Sequence, residues 1–136
     1  MLLLLLLSER NHMSHKGKTQ VTFIFTASPQ QVAEGDRLFG SHADWMEKTH
    51  YRDGDLALLH YNVVKGSELS NPLDPSSEPT GNTCFVLDEV YEKPAGLADH
   101  WQKGAESWAD FNAFLAWAGE VDVAVLHGSP VTHSLW

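Results

Sequence analysis

The sequence predicts a single α+β domain whose elements follow one another in the order β-α-β-β-α-β. Three observations support this order. Four short stretches are rich in β-branched and aromatic residues, which favours strands. One long stretch carries apolar residues at helical spacing, and a second helical region begins at a proline. Because the chain has only 136 residues, these elements are expected to share one hydrophobic core.

The first strand and the first helix are expected next to each other. Residues 20–27 alternate in character and are rich in β-branched and aromatic side chains, which predicts strand one. Ser28 and Gln31 have the spacing of a capping box, and Pro29 suits a first helical position. The helix is expected to run to about His50. Its apolar stripe consists of Val32, Leu38, Phe39, His42, Trp45, Met46, Thr49 and His50.

Strand two is expected in residues 56–65, after a turn signal at residues 52–55. Alternation of faces along a strand divides its side chains into two sets. One set is Leu56, Leu58, His60 and Asn62, and the other is Ala57, Leu59, Tyr61 and Val63. Residues 66–82 hold three prolines among Ser, Asn and Gly, so a long surface loop is expected. This loop is either a lid or binding element or a plain hairpin connection.

Strand three and a helical region in two pieces follow the loop. Residues 83–91 have the composition of a strand, and Pro94 suits the first turn of the next helix. Gly104 is the expected end of this helix. Ser107 with Asp110 resembles another helix start, and the apolar spacing beyond it predicts a short final helix that Gly119 closes.

Residues 121–127 complete the order as strand four. This is the ferredoxin-like order, with a four-stranded antiparallel sheet. Helices can cover one face of the sheet, and the other face, also apolar, needs a cover as well. Two copies packed sheet to sheet would provide it, so a homodimer is expected. The apolar end of the chain, Leu135-Trp136, is expected to pack against its own domain or against the partner.

Composition limits the partners and the compartment. A net charge of −9 and a pI near 5.2 argue against nucleic acid and anionic membranes as partners. Cys84 is the only cysteine, which excludes an internal disulfide and fits a reducing, cytoplasmic setting. On a strand, this thiol is expected to act as a small buried apolar group.

The N-terminal residues 1–18 are expected to be a leader or a disordered segment, and residues 19–136 to form the domain. The apolar run 2–7 is too short to span a bilayer. It also lacks the basic start, longer apolar core and cleavage site of a secretory signal. A leader or an upstream mis-start is therefore expected, with the native chain beginning at Met13 or nearby.

Most of the chain carries the pattern of a known family. The matching features are the element order, Asp53-Gly54, Tyr61, Phe85-Val86-Leu87, Glu89, Tyr91-Glu92, Ala95, Leu97 and His100. With these features, residues 21–126 resemble the antibiotic biosynthesis monooxygenase family within the dimeric α+β barrel superfamily. The YCII-like proteins share the fold and use His with Asp, and Ser41-His42 and His50 match them less closely.

The resemblance implies a pocket between the sheet and the helices of each subunit. In the family, an electron-rich phenol or quinol is oxidised there by O2, without metal or flavin, so no cofactor is expected. The pocket would bind a small aromatic or hydrophobic ligand, remove a proton and exclude water. The alternatives are a non-oxidative ligand-binding or isomerase-like barrel of the YCII-like kind, or an accessory protein whose own side chains fill the pocket.

Histidines are the first candidates for the chemistry, because the ordinary pKa of His suits a base at neutral pH. The predicted catalytic residues are His42, His50 and His60. The predicted substrate-binding residues are Trp45, Met46, Asn62, Glu89, His100 and Trp101. Since Asp88 and Glu89 occupy opposite faces of strand three, only one of these carboxylates can point inward.

Several of these assignments have a structural alternative. A histidine on an apolar stripe is often a hydrogen-bonded core residue, and Trp108 and Trp117 are expected to serve packing. His60 and Asn62 would join His42 in the pocket if their strand face looks at the helices, which is preferred here, or would lie in the dimer interface otherwise. A metal site is not expected, because His42 and His50 lie two helical turns apart and His60 would have to complete it.

Overall fold

The computed structural model describes residues 14–136, and the expected leader lies largely outside this range. A short 3-10 turn, Pro29–Gln31, precedes the first helix. The main elements are β1 (Thr19–Ala27), α1 (Val32–Thr49), β2 (Leu58–Leu69), β3 (Pro79–Tyr91), α2 (Pro94–Ser107), α3 (Phe111–Glu120) and β4 (Asp122–Pro130). The predicted order of elements is therefore confirmed, with α2 and α3 as the two pieces of the second helical region.

The four strands form one antiparallel sheet in the order β2-β3-β1-β4. The sheet is open, and together with the three helices it confirms an α+β domain compatible with a ferredoxin-like fold. Cross-strand pairs such as Phe25 with Phe85 set the register between the central strands. Because β1 and β3 are central, side chains on their helix-facing side are the most deeply covered.

Two predicted boundaries are wrong. The long loop expected in residues 66–82 is mostly strand, since Ser67 pairs with Thr83 and only residues 70–78 connect the two strands. Pro79 is tolerated because it opens its strand, where a missing backbone donor does little harm. The helix expected to end at Gly104 continues to Ser107. The capping interaction holds, with the Ser28 N–H donating to Gln31 Oε1 at 2.9 Å.

Aromatic side chains from both layers build the centre of the core. Phe39 of α1 lies with its ring centroid 5.3 Å from that of Phe85 and 5.5 Å from that of Phe25. Trp117 of α3 closes this cluster from the side, 5.7 Å from Phe85. A Cβ at Gly35 would lie 2.8 Å from the Trp117 ring, so this glycine lets α1 approach α3 and the sheet. Burial of this apolar area is the main stabilising contribution of the fold.

The two faces of the sheet differ in their cover. One face packs against the helices, whereas the other, here called the open face, carries several exposed apolar side chains among residues 14–136. Ile24, Val64 and Leu126 on the open face are 42%, 58% and 65% exposed. An apolar set of this kind on three strands is a candidate interaction surface.

His60 and Asn62 lie on the open face, so the preference for placing them with His42 is wrong. The physical reason is an irregularity in the pairing of β2 with β3 between Leu58 and His60. Beyond it the alternation is displaced by one residue, so Leu58 and Tyr61 both pack toward the helices. His60 Nε2 instead lies 3.5 Å from Asp88 Oδ2.

The residues that precede β1 pair with the C-terminal tail. The Gly17 N–H donates to the Val131 carbonyl at 2.8 Å, and the Val131 N–H donates to the Lys18 carbonyl at 2.9 Å. Leu135 and Trp136 remain largely exposed in the single chain. Within residues 14–136, none of the helices has the length and apolar composition that crossing a bilayer requires.

Candidate functional site

A small cavity lies between the three helices and the helix-facing side of β1 and β3. It is lined by Val21, Phe23, His42, Trp45, Leu87, Glu89, Leu97, His100, Trp101, Gly104, Trp108, Phe111 and Phe114. The space open to water centres is about 20 Å³, which suffices for about one water molecule. An aromatic ligand would therefore enter only if part of the aromatic wall moves.

Three polar side chains face each other in this apolar cavity. His42 comes from α1, Glu89 from β3 and His100 from α2, and they are only 5%, 1% and 8% exposed. Burying such groups costs free energy unless they find partners. Their convergence from three separate elements makes this cluster the candidate functional site.

Local sequence explains how these groups converge. Alternation along β3 turns Phe85, Leu87, Glu89 and Tyr91 toward the helices. Pro94 then starts α2. A Cβ at Gly96 would lie 3.0 Å from the Leu56 carbonyl oxygen, so glycine there allows α2 to pass close to the chain before β2. This close approach helps to bring His100 over Glu89.

Each of the three groups is held by one residue behind it. His42 Nδ1 lies 2.8 Å from the Tyr61 hydroxyl, and the Tyr91 hydroxyl donates to Glu89 Oε1 at 2.5 Å. His100 Nδ1 lies 2.9 Å from Nε2 of His50. Across the cavity, His100 Nε2 lies 3.8 Å from Glu89 Oε1, which is too long for a direct hydrogen bond.

Burial controls the protonation of the histidines. Desolvation, followed by the nearby His50, lowers the pKa of His42 from 6.5 to about 3. Desolvation, followed by the neighbouring imidazoles of His42, His50 and His127, lowers the pKa of His100 to about 2. Both rings are therefore neutral at physiological pH, and each has a nitrogen lone pair that can accept a proton.

Glu89 shifts in the opposite direction. Burial raises the pKa of its carboxyl group from 4.5 to about 7, although the hydrogen bond from Tyr91 opposes this rise. Burial also raises the pKa of the Tyr61 hydroxyl above its usual range, so that this group stays protonated. The cavity thus places two neutral imidazoles beside the carboxyl group of Glu89, which titrates near neutrality, and a pKa near the working pH is what proton transfer needs.

The same three side chains also place potential metal ligands near one another. One potential ligand atom from each of His42, Glu89 and His100 lies within 4.8 Å of the others. Ligand atoms on a tetrahedral zinc ion lie only ~3.4 Å apart, given bonds of ~2.1 Å. The His42, His50 and His60 set considered from the sequence does not converge, because His60 lies on the open face.

The structure brings together five of the predicted site residues. These are His42, Trp45, Glu89, His100 and Trp101, all of which line the cavity. His50 lies behind His100, and Met46 is buried beside a separate surface hollow that His50 also lines. Glu89 is the inward carboxylate, while Asp88 points to the other face, where Gln20 and Thr22 donate to it.

Sequence reasoning missed three residues of the site or assigned them another role. Tyr91 shares the β3 face of Glu89, so the period of two would have identified it. Tyr61 could not be assigned to the site from the sequence, because its contact with His42 depends on the pairing irregularity of β2. Trp108 was expected only to pack, but its ring lies 4.9 Å from that of His42 and lines the cavity.

Comparison with known proteins adds no further constraint on this site. A scan against protein-family models and searches of curated proteins and of solved structures found no match to this chain. The functional argument therefore depends on the geometry and chemistry of the cavity.

Proposed function

We propose that this cavity binds a small aromatic or quinol substrate and removes a proton from it, acting as a cofactor-independent monooxygenase. The observation that carries the proposal is the imidazole of His100, whose Nε2 lies 3.8 Å from Glu89 Oε1 in a cavity with mostly apolar walls. The substrate anion would then supply electrons directly to O2. For a methylene between aromatic rings, both C–H bonds break, one oxygen atom becomes the carbonyl, and the other leaves as water.

The walls of the cavity support an aromatic substrate. Trp45, Trp101 and Trp108 present flat apolar surfaces on which a planar ring can stack. Trp101 is half-buried, and its indole N–H donates to His127 Nε2 at 3.2 Å. Outward rotation of the Trp101 ring would break this hydrogen bond and enlarge the cavity.

A second candidate function is a non-oxidative ligand-binding or isomerase-like role. It is favoured by Glu89, whose carboxyl pKa near 7 lets it donate a proton to one atom of the substrate while His100 removes a proton from another. The proton on His100 then passes to the Glu89 carboxylate and restores the site. A base and an acid 3.8 Å apart suit movement of a proton between two atoms of one substrate. In that case the chain consumes no oxygen with any ligand that binds.

A homodimer in the form of a dimeric α+β barrel is part of the proposal. The apolar residues of the open face support it, because a second copy of the same face would remove Ile24, Val64 and Leu126 from water. Asp88 on that face already accepts hydrogen bonds from Gln20 and Thr22, which offsets part of the cost of burying its carboxylate. The cavity lies on the other side of the sheet, so each subunit would keep its own site.

Oxygen uptake by metal-stripped protein, offered a panel of quinols and anthrones, tests the proposal. We expect uptake by the wild type and a loss of about 10²-fold or more in His100→Ala, the usual contribution of a positioned base. The matched control is His60→Ala, which removes a histidine from the opposite sheet face. Ligand binding detected by tryptophan fluorescence without any oxygen uptake would instead support the second candidate.

A further inference from the structure

We propose that His50 is a positioning residue that holds the cavity base His100 in one tautomer and connects it to solvent as a two-histidine proton relay. This inference rests on the proposed function, since it takes His100 as the base. The argument follows from a directed chain of hydrogen bonds at the end of α1. Each link leaves only one possible donor for the next.

The chain begins at the Thr49 hydroxyl. This group lies 2.7 Å from the Trp45 carbonyl oxygen, which can only accept, so the single hydroxyl hydrogen points there. His50 Nδ1 lies 3.0 Å from the same hydroxyl oxygen. Because Thr49 has no second hydrogen to donate, His50 Nδ1 must carry the hydrogen of this bond.

The tautomer of His50 determines that of His100. A neutral His50 with its hydrogen on Nδ1 has an acceptor lone pair on Nε2. His100 Nδ1, 2.9 Å away, must therefore donate. The lone pair of His100 is thus left on Nε2, the nitrogen nearest Glu89. The hydrogen bonds of Thr49 and His50, which lie outside the cavity lining, thus determine which nitrogen of His100 can act as the base.

The pair also spans the distance from the cavity to the surface. His100 is buried and lines the cavity, whereas His50 is half-buried just after the end of α1. His50 lines an open surface hollow together with Glu47, Tyr51 and Arg52. A proton that reaches His50 is therefore at the edge of bulk water.

The charged and titratable groups around the pair come from four elements. They are Lys103 and Asp99 on α2, Glu89 and Tyr91 on β3, His42 on α1 and His127 on β4. Lys103 is already paired with Asp99 at 2.8 Å. The Nζ of Lys103 also lies 3.9 Å from the centre of the Tyr51 ring. None of these groups interrupts the direct contact between the two imidazoles.

The proton steps balance over one turnover. The substrate gives a proton to His100 Nε2, and His100 Nδ1 passes its proton to His50 Nε2. His50 then gives up its Nδ1 proton to a water molecule that takes the place of the Thr49 hydroxyl as hydrogen-bond partner. When the reduced oxygen atom leaves as water, the steps run in reverse and restore both tautomers. No electron passes through the histidines, and no co-reactant beyond the substrate, O2 and solvent is needed.

Nitrogen-15 NMR of the histidine rings tests the tautomer without any substrate. We expect the hydrogen of His100 on Nδ1 in the wild type and in His50→Gln, whose amide oxygen can accept the same hydrogen bond. In His50→Ala we expect a mixture of tautomers, while the control His60→Gln leaves His100 unchanged. A wild-type His100 with its hydrogen on Nε2 would overturn the inference, whether or not the protein consumes oxygen.

Oxygen uptake by His50 variants distinguishes a proton relay from a role in positioning His100 alone. His50→Gln keeps an acceptor but cannot pass a proton on, so we expect oxygen uptake to fall by about tenfold or more, within the range of proton-transfer effects. Added imidazole should restore uptake in His50→Ala. Wild-type rates in His50→Gln would overturn the relay. Absence of uptake by the wild type itself would contradict the proposed function, and the NMR result would still decide how His50 positions His100.

Discussion

His100 Nε2 lies 3.8 Å from Glu89 Oε1 across a cavity whose remaining walls are mostly apolar. The gap is too wide for a hydrogen bond and is suited to one small polar group between the two. Behind them, His50 Nε2 contacts Nδ1 of His100, and the Tyr91 hydroxyl donates to the same Oε1 of Glu89 that faces His100. This arrangement links the stability of the fold to pH, which makes it accessible to measurement even before a substrate is known.

Replacement of Glu89 by Gln should change how stability depends on pH. The folded-state pKa of Glu89 is about 7, above its ordinary value of 4.5, so its stabilising contribution is complete below pH 4.5 and is lost as pH rises through 7. The variant lacks this loss. Relative to the wild type, we expect the free energy of unfolding of the variant to rise by up to about 1.4 kcal/mol per pH unit between pH 4.5 and 7. Urea titrations at a series of pH values would measure this rise.

The matched control for Glu89→Gln is Asp88→Asn, because Asp88 is the neighbouring carboxylate on the opposite sheet face. If the free energies of unfolding of Glu89→Gln and the wild type differ by the same amount from about pH 5 to about pH 8, Glu89 is not held in a buried, neutral form.

Acid should unfold this protein through its buried histidines. The folded-state pKa values of His42, His50 and His100 are about 3, 4 and 2, below the ordinary value of 6.5. Their contribution to stability is therefore complete above pH 6.5 and is lost as pH falls toward these values. Glu89 acts in the opposite direction, but three groups outweigh one. The free energy of unfolding should fall by about 1.4 kcal/mol per pH unit for each net proton taken up.

Chemical denaturation at a series of pH values measures this loss. The control is His60→Ala, which removes a histidine from the open face. A flat stability curve from about pH 6.5 to about pH 4.5 would show that the cavity histidines are not held neutral.

Two glycines of α1 should respond in opposite ways to alanine. At Gly35 the new methyl group would lie 2.8 Å from Trp117 and 3.0 Å from Phe85, whereas at Gly40 nothing lies within 4 Å. We expect Gly35→Ala to destabilise by about 1–3 kcal/mol through overpacking. Gly40→Ala should stabilise by up to about 1 kcal/mol through helix propensity. Equal effects in urea titrations would contradict the close contact between α1 and α3.

The proposed homodimer should depend on the open face. Val64→Asp would place two carboxylates, one from each copy, into the apolar contact, and we expect dissociation to monomers in sedimentation velocity experiments. Leu73→Asp is the matched control, since Leu73 is exposed in the connection between β2 and β3 and lies away from the sheet face. A wild-type protein that sediments as a monomer at micromolar concentration would contradict the dimer.

The sequence by itself determined the order of the elements and the fact that only one of Asp88 and Glu89 points inward. Both follow from local rules, namely side-chain periodicity, capping at Ser28 and the preference of Pro94 for a first helical turn. The apolar stripe of α1 likewise placed His42 toward the sheet. These features needed no knowledge of distant partners.

Only the tertiary structure decided which residues meet. The pairing irregularity after Leu58 turned His60 away from the helices and Tyr61 toward them, and no local signal in the strand announces such a displacement. The contact between His50 and His100 joins residues fifty positions apart, so it depends on how α1 and α2 pack. Periodicity specifies the face of an element, whereas the register of pairing and the packing of helices specify the partners of each side chain.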